Sequence, residues 1–184
     1  MTAAAPSPAN VRVRAAESVD PELILERLRA SAITHVVTVP DTHQKSLLAL
    51  LSGPDAPQLI TACTEDEAMG INLGLYAGGQ RPMLLIQNSG LWAAMNTLRA
   101  LALDGRVPTP MLIGEYSRRP EVAPAEDPRR LIHLLEPTLA LWSIPSYRLD
   151  AADEVSNVTA AIDRAYADRG PTAILVGATT ADLA

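Results

Sequence analysis

The sequence predicts an α/β fold: a doubly wound, mostly parallel, six-stranded sheet with helices on both faces. Three observations point there. Short apolar runs alternate with helical stretches along nearly the whole chain. The runs are apolar throughout, as strands covered on both faces must be. Between them lie Pro, Gly and Asp signals that stop one element and cap the next.

The elements follow in order. Asp20-Pro21 offers an N-cap and a Pro at the first helical position, and Leu23, Ile24 and Leu28 recur at helical spacing to about Ala30. Thr34 to Val39 (THVVTV) is β-branched and bounded by Pro40, which predicts a buried strand. Asp41-Thr42 caps a helix through SLLALL, ended by Ser52-Gly53-Pro54-Asp55. QLITAC then reads as a strand, Asp66 to Gly78 as a helix, PMLLIQ as a strand, Leu91 to Leu103 as a helix and TPMLIG as a strand. A polar loop from Glu115 to Asp127 interrupts the rhythm, and loops of that length inside a domain are commonly functional. A helix around Arg129 to Leu141, a strand near Pro145 to Leu149, a helix from Asp153 to Ala167 and the strand TAILV complete the pattern.

Composition narrows the function. With 184 residues, of which 48% are hydrophobic, the chain suits one domain, expected over 18–184, behind a disordered N-terminal extension over 1–17 that lacks the apolar stretch of a signal peptide. A single Cys allows neither an internal disulfide nor a Cys-based zinc cluster, which suits a reducing, cytoplasmic setting. A net charge of −6, with Lys45 the sole Lys, argues against a nucleic-acid surface, and no apolar run is long enough to span a bilayer.

In a doubly wound sheet, ligands bind beyond the carboxyl ends of the strands. The residues to weigh are therefore Asp41-Thr42-His43, Thr64-Glu65-Asp66-Glu67, Gln87-Asn88-Ser89-Gly90 and Gly114-Glu115-Tyr116. Glu65 opens a helix containing Ala68, Gly70, Gly74 and Ala77, whose small side chains permit close approach of a neighbour; a plain acidic first turn is the competing reading. Asn88-Ser89-Gly90 reads as a strand-to-helix turn, either with Ser89 as a cap or with Gly90 admitting a ligand. Asp41, Thr42 and His43 are a capping turn or a substrate site. Cys63 is expected to be buried, His35 to be structural and His133 to lie at the surface.

Taken together, VPDTHQKSLL, CTEDEAMGINLGLYAGG and PMLLIQNSGLWAAMNTLRAL resemble the pyrimidine-binding (Pyr) domain of thiamine diphosphate enzymes, above all sulfopyruvate and phosphonopyruvate decarboxylases. The resemblance implies that Glu65 contacts N1′ of the cofactor's aminopyrimidine and drives the proton exchange that activates the thiazolium carbon, a task Gln cannot perform. It implies that Asn88, Ser89, Gly90 and Leu91 line the cofactor, with Asn96 a polar position on the same helix. Asp41, Thr42, His43 and Asn88 are then expected at the substrate, His43 as a proton donor or anion partner. Arg118 is a candidate anchor for an anionic group, with Arg119, Arg129 and Arg130 nearby. One departure stands out: the family has Arg-Gly after the fourth strand, where this chain has Glu115-Tyr116, which argues against a sulfonate or phosphonate substrate.

No residues here match the Gly-Asp-Gly signature of the diphosphate-binding (PP) domain, and no metal ligands are expected in this chain. The resemblance therefore implies the alpha subunit of a split thiamine diphosphate-dependent 2-oxo acid decarboxylase. A PP-domain beta subunit, in a heterodimer or an α2β2 complex, would bind Mg2+ and the diphosphate. Two alternatives stay open: a carboligase subunit similar to acetolactate synthase, and a non-catalytic regulatory or structural subunit.

Overall fold

A computed structural model describes residues 15–183. The elements are α1 (Pro21–Ala30), β1 (His35–Thr38), α2 (Lys45–Leu51), β2 (Gln58–Thr61), α3 (Glu65–Ala77), β3 (Pro82–Gln87), α4 (Asn88–Ala93), α5 (Met95–Leu98), β4 (Thr109–Gly114), α6 (Arg130–His133), α7 (Leu135–Leu141), β5 (Ser146–Leu149), α8 (Ser156–Asp168) and β6 (Pro171–Val176). Among the described residues the strands form one sheet in the order β2-β1-β3-β4-β6-β5, parallel at every pairing. No helix among them is long and apolar enough to cross a membrane.

Local chemistry explains the boundaries. The Asp20 side chain accepts a hydrogen bond from the Glu22 backbone N–H at 2.9 Å and Pro21 starts α1, as the sequence predicts. Thr64 caps α3 by accepting from the Glu67 N–H at 3.2 Å, while the Glu67 carboxylate reaches back to the Cys63 N–H at 2.7 Å. The first bond satisfies a donor that a helix start leaves free, and the second satisfies the backbone N–H just ahead of the cap. Left-handed backbone at Ala32, Ser143 and Arg169 ends α1, α7 and α8 just before the strands that follow them.

Alternate residues of each central strand face opposite layers. Val36, Met83, Leu85, Leu112 and Ile174 pack with Ile24, Leu28, Leu47, Leu51, Val158 and Ile162, so α1, α2 and α8 cover one face. Val37, Leu84, Ile86, Met111, Ile113 and Leu175 pack with Met69, Leu91, Leu98 and Leu139, so α3, α4, α5 and α7 cover the other. Each fully buried aliphatic side chain contributes about 1.5–3 kcal/mol.

Several expectations change, among them the helix around Arg129 to Leu141, which is α6 and α7 in succession. The single helix over Leu91 to Leu103 is α4, α5 and a π-helical turn at Arg99–Asp104 in succession, a path that keeps Leu91, Ala94, Leu98 and Ala102 all facing the sheet. Asn88-Ser89-Gly90 is the first turn of α4 and not a preceding loop, and Ser89 is not its cap. Cys63 is exposed, because β2 is an edge strand that ends at Thr61. Of the extension expected to be disordered over 1–17, residues 1–14 lie outside the described residues. Ala16 and Glu17, by contrast, dock on the domain: their N–H groups donate to the Pro120 and Asp150 carbonyls at 2.8 and 2.7 Å.

Candidate active site

The sheet order reverses direction at β1, so the crevice beyond β1 and β3 is where a doubly wound sheet receives a ligand. At that edge Gln87, Gly114 and Val176 stand level across β3, β4 and β6. The sequence-predicted residues gather around this row in two groups.

The first group is Glu65 and the start of α4. Glu65 is half-buried, and its carboxylate lies so close to Gly90 that a Cβ there would overlap it. Only glycine leaves the carboxylate its place. Among the described residues no donor or cation pairs with that carboxylate. Beside it, Asn88 and Leu91 are buried and Ser89 is exposed. Asn88 donates to the Tyr116 carbonyl at 3.4 Å and accepts from the Ser89 N–H at 2.9 Å. Asn96 is exposed and accepts from Arg99.

The second group is the Asp41-Thr42-His43 turn, a 3-10 turn at Thr42–Gln44 capped by Asp41. Asp41 is buried and its acceptor capacity is heavily used. Oδ1 accepts from the His43 N–H and from Gln87 Nε2, both at 2.8 Å, and Oδ2 accepts from Gln44 Nε2 at 3.0 Å. A Cβ on Gly114 would overlap Oδ2 and lie 2.9 Å from His43 Cβ. This arrangement corrects the reading of Asp41 as a substrate ligand, since the side chain orders the turn from beneath. The His43 Nε2–H donates to the Val176 carbonyl at 3.0 Å. Burial holds the His43 pKa below its ordinary value, against the raising pull of Asp41, so the ring is neutral at pH 7. Thr42 and His43, with Tyr116, Ser117, Ala178 and Thr179, line a cavity of about 370 Å3.

Arg118 lines the same cavity, with its Nη1 already engaged by two acids and its Nε without a partner among the described residues. Its side chain is fully buried, and Nη1 donates to Glu115 Oε2 at 2.8 Å and to Asp150 Oδ1 at 2.6 Å. Arg148 binds the same two acids, at 2.6 Å to Glu115 and 2.8 Å to Asp150. Glu115, which departs from the family pattern, is thus the hub of a buried ionic cluster that pins the loop. Burial pushes its carboxyl up to about 7 despite Arg148. Further along, Arg129 pairs with Asp127 at 2.5 Å and holds that carboxyl well below the usual range. His133 is half-buried and bonds the Asp127 carbonyl at 2.8 Å, and His35 bonds Thr34 Oγ1 at 2.9 Å.

Residues 21–123 match the model of the N-terminal TPP binding domain of thiamine pyrophosphate enzymes. The chain belongs to that family. This TPP-binding domain is 30% identical over 131 residues to the sulfopyruvate decarboxylase subunit alpha of Methanocaldococcus jannaschii, covering 71% of this chain and 76% of the relative. It is 29% identical over 107 residues to the subunit of the same name from Methanococcus maripaludis, covering 58% and 64%. Among solved structures it superposes on benzoylformate decarboxylase from Polynucleobacter necessarius with a TM-score of 0.64 at 19% identity, over 91% of this chain and 32% of that one. That likeness is one of fold, and the TPP-binding domain spans about a third of that enzyme's chain.

The residues present fit the pyrimidine half of thiamine diphosphate. A carboxylate with no protein donor, seated on a glycine at the carboxyl edge of the sheet, is the chemistry the N1′ nitrogen needs. Among the described residues no group of three or more His, Cys, Asp or Glu is placed to hold a metal ion.

Sequence reasoning gave no role to Gln87, Gln44 or Gly114, although Gln87 and Gly114 stand among the strand-end residues weighed above. The signal for the first two was a pair of amides at a strand end and in a capping turn. Gly114 gave none, because its meaning lies in a cross-strand register.

Proposed function

We propose that this chain is the pyrimidine-binding alpha subunit of a thiamine diphosphate-dependent decarboxylase of a 2-oxo acid. A separate PP-domain beta subunit would hold the diphosphate and Mg2+. The observation that carries this reading is the unpaired Glu65 carboxylate seated on Gly90. When bound, the cofactor supplies the electron sink that makes loss of carbon dioxide possible.

This chain's own residues do the rest. Glu65 holds and returns the proton at N1′. Gly90 sets the carboxylate's position, and Asn88, Ser89 and Leu91 shape the wall beside it. Thr42 presents a hydroxyl to the cavity, where the neutral His43 accepts or relays a proton and does not act as an anion partner. Asp41 and the Glu115–Arg118–Arg148–Asp150 cluster hold those groups in place. The exposed face of α3, where a Cβ on Gly70 or Gly74 would meet nothing within 4 Å, is the surface against which another domain's helix can lie. Cys63 is free and exposed, which suits a reducing cytoplasm.

The test is co-expression with a PP-domain chain, followed by assay of carbon dioxide release from a panel of 2-oxo acids that includes sulfopyruvate. The expected result is a stable complex, Mg2+-dependent activity and its loss in Glu65→Gln with assembly intact. Tight, Mg2+-dependent cofactor binding by this chain alone would overturn the two-chain site. Full activity of Glu65→Gln would overturn the assignment altogether.

A further inference from the structure

Gln87 ends β3, and its side chain spans the two halves of the site. Nε2 donates to Asp41 Oδ1 at 2.8 Å, and Oε1 accepts from Ser89 Oγ at 3.3 Å. On the Asp41 side it supports the turn that carries Thr42 and His43. On the Ser89 side it joins the first turn of α4, where Gly90 seats Glu65. Gly114 is its level partner on β4 and leaves the space that the Asp41 carboxylate fills. The neighbouring Gln44 is fully buried; it donates to Asp41 Oδ2 at 3.0 Å, and its own Oε1 has no partner.

We propose that Gln87 is a positioning residue of the decarboxylase site. Acting through Asp41, it fixes the turn that presents Thr42 and His43 to the cavity, and through Ser89 it keeps that turn in register with the seat of Glu65. An amide is the group required, because one end must donate to a carboxylate and the other accept from a hydroxyl. Leu supplies neither bond. Glu sets a second negative charge against Asp41. The inference rests on the proposed function for its catalytic meaning, while the linkage itself rests on the hydrogen bonds alone.

A double-mutant cycle separates the two. In the complex of the full chain with its PP-domain partner, Gln87→Leu and Asp41→Asn should each lower kcat by about 10–100-fold, with KM for the 2-oxo acid changed less than about threefold. The double variant should be no worse than the more damaging single one, because the two residues act in series. The same cycle read as thermal unfolding of the full chain, without partner or cofactor, should be equally non-additive. If the wild-type complex releases carbon dioxide from no 2-oxo acid, the functional reading fails, and non-additive unfolding still establishes the link. Gln87→Glu guards against misfolding of the Leu variant: its activity should be at least about tenfold down at pH 8 and recover toward pH 6, where the new carboxyl takes up a proton and donates as the amide does. Additive effects in both cycles, or a wild-type rate for Gln87→Glu at pH 8, would overturn the role of Gln87.

Discussion

Two carboxylates stand at the same edge of the sheet under opposite conditions. Asp41 is buried and receives three hydrogen bonds from its own chain, whereas Glu65 is half-buried and receives none among the described residues. Each needs a glycine, Gly114 for Asp41 and Gly90 for Glu65, because each occupies the volume of a missing Cβ. The contrast separates two tasks. A carboxylate saturated by its own chain holds structure, and one left without donors is kept for a group from outside.

The largest effect should come from the open side. Glu65→Gln should lower kcat of the complex by about 10²–10⁴-fold, while its melting temperature stays within about 2 °C of wild type. A large loss of stability in that variant would erase the distinction between the two sides. Gly90→Ala should act in the same direction by about 10–100-fold, because the new methyl displaces the carboxylate without filling the core; a normal rate would mean that the seat does not matter.

On the closed side the expected loss is stability. Asp41→Ala strands a buried amide, a half-buried one and a backbone N–H and should cost about 2–4 kcal/mol, or about 5–12 °C in melting temperature, read by calorimetry. The ionic cluster adds a pH dependence of comparable size. Glu115 titrates near 7 in the fold against an ordinary 4.5, so between those values the folded chain keeps a proton that the unfolded chain has released. Stability should therefore fall as pH rises from about 4.5 to about 7, by up to about 3 kcal/mol, and Glu115→Gln should flatten that slope in denaturant titrations. An unchanged slope would assign the dependence elsewhere, Glu136 being the next group, pushed up to about 6 by burial.

The open side was largely legible in the sequence, and the closed side was not. Glu65 was singled out through the resemblance to the Pyr domain, because its local pattern, an acid opening a helix of small residues after a strand, also suits a plain acidic first turn. The four inner strands could be found because each is a short run rich in apolar and β-branched residues, and the edge strands β2 and β5 from their place between helical stretches. Arg118 looked like a free cation because its partner Asp150 lies 32 residues away, beyond α6, α7 and β5. Gly114 is indistinguishable from any other strand-end glycine until the register with Gln87 is known. Cys63 was misplaced because an apolar run does not reveal whether its strand lies at the centre of a sheet or at its edge.

The left-handed residues that end α1, α7 and α8 all sit at the amino edge of the sheet, opposite the site. An L side chain pays about 1 kcal/mol or more in that conformation, and glycine pays nothing for it in the folded state. Ala32 and Ser143 are exposed, so exchanging either for glycine relieves strain without disturbing a packed contact. The smallest effect expected is thus a gain of about 0.5 kcal/mol from each, measurable as a higher melting temperature at unchanged kcat. The protein can be toughened from the end that performs no chemistry, leaving room to redesign its substrate preference at the other.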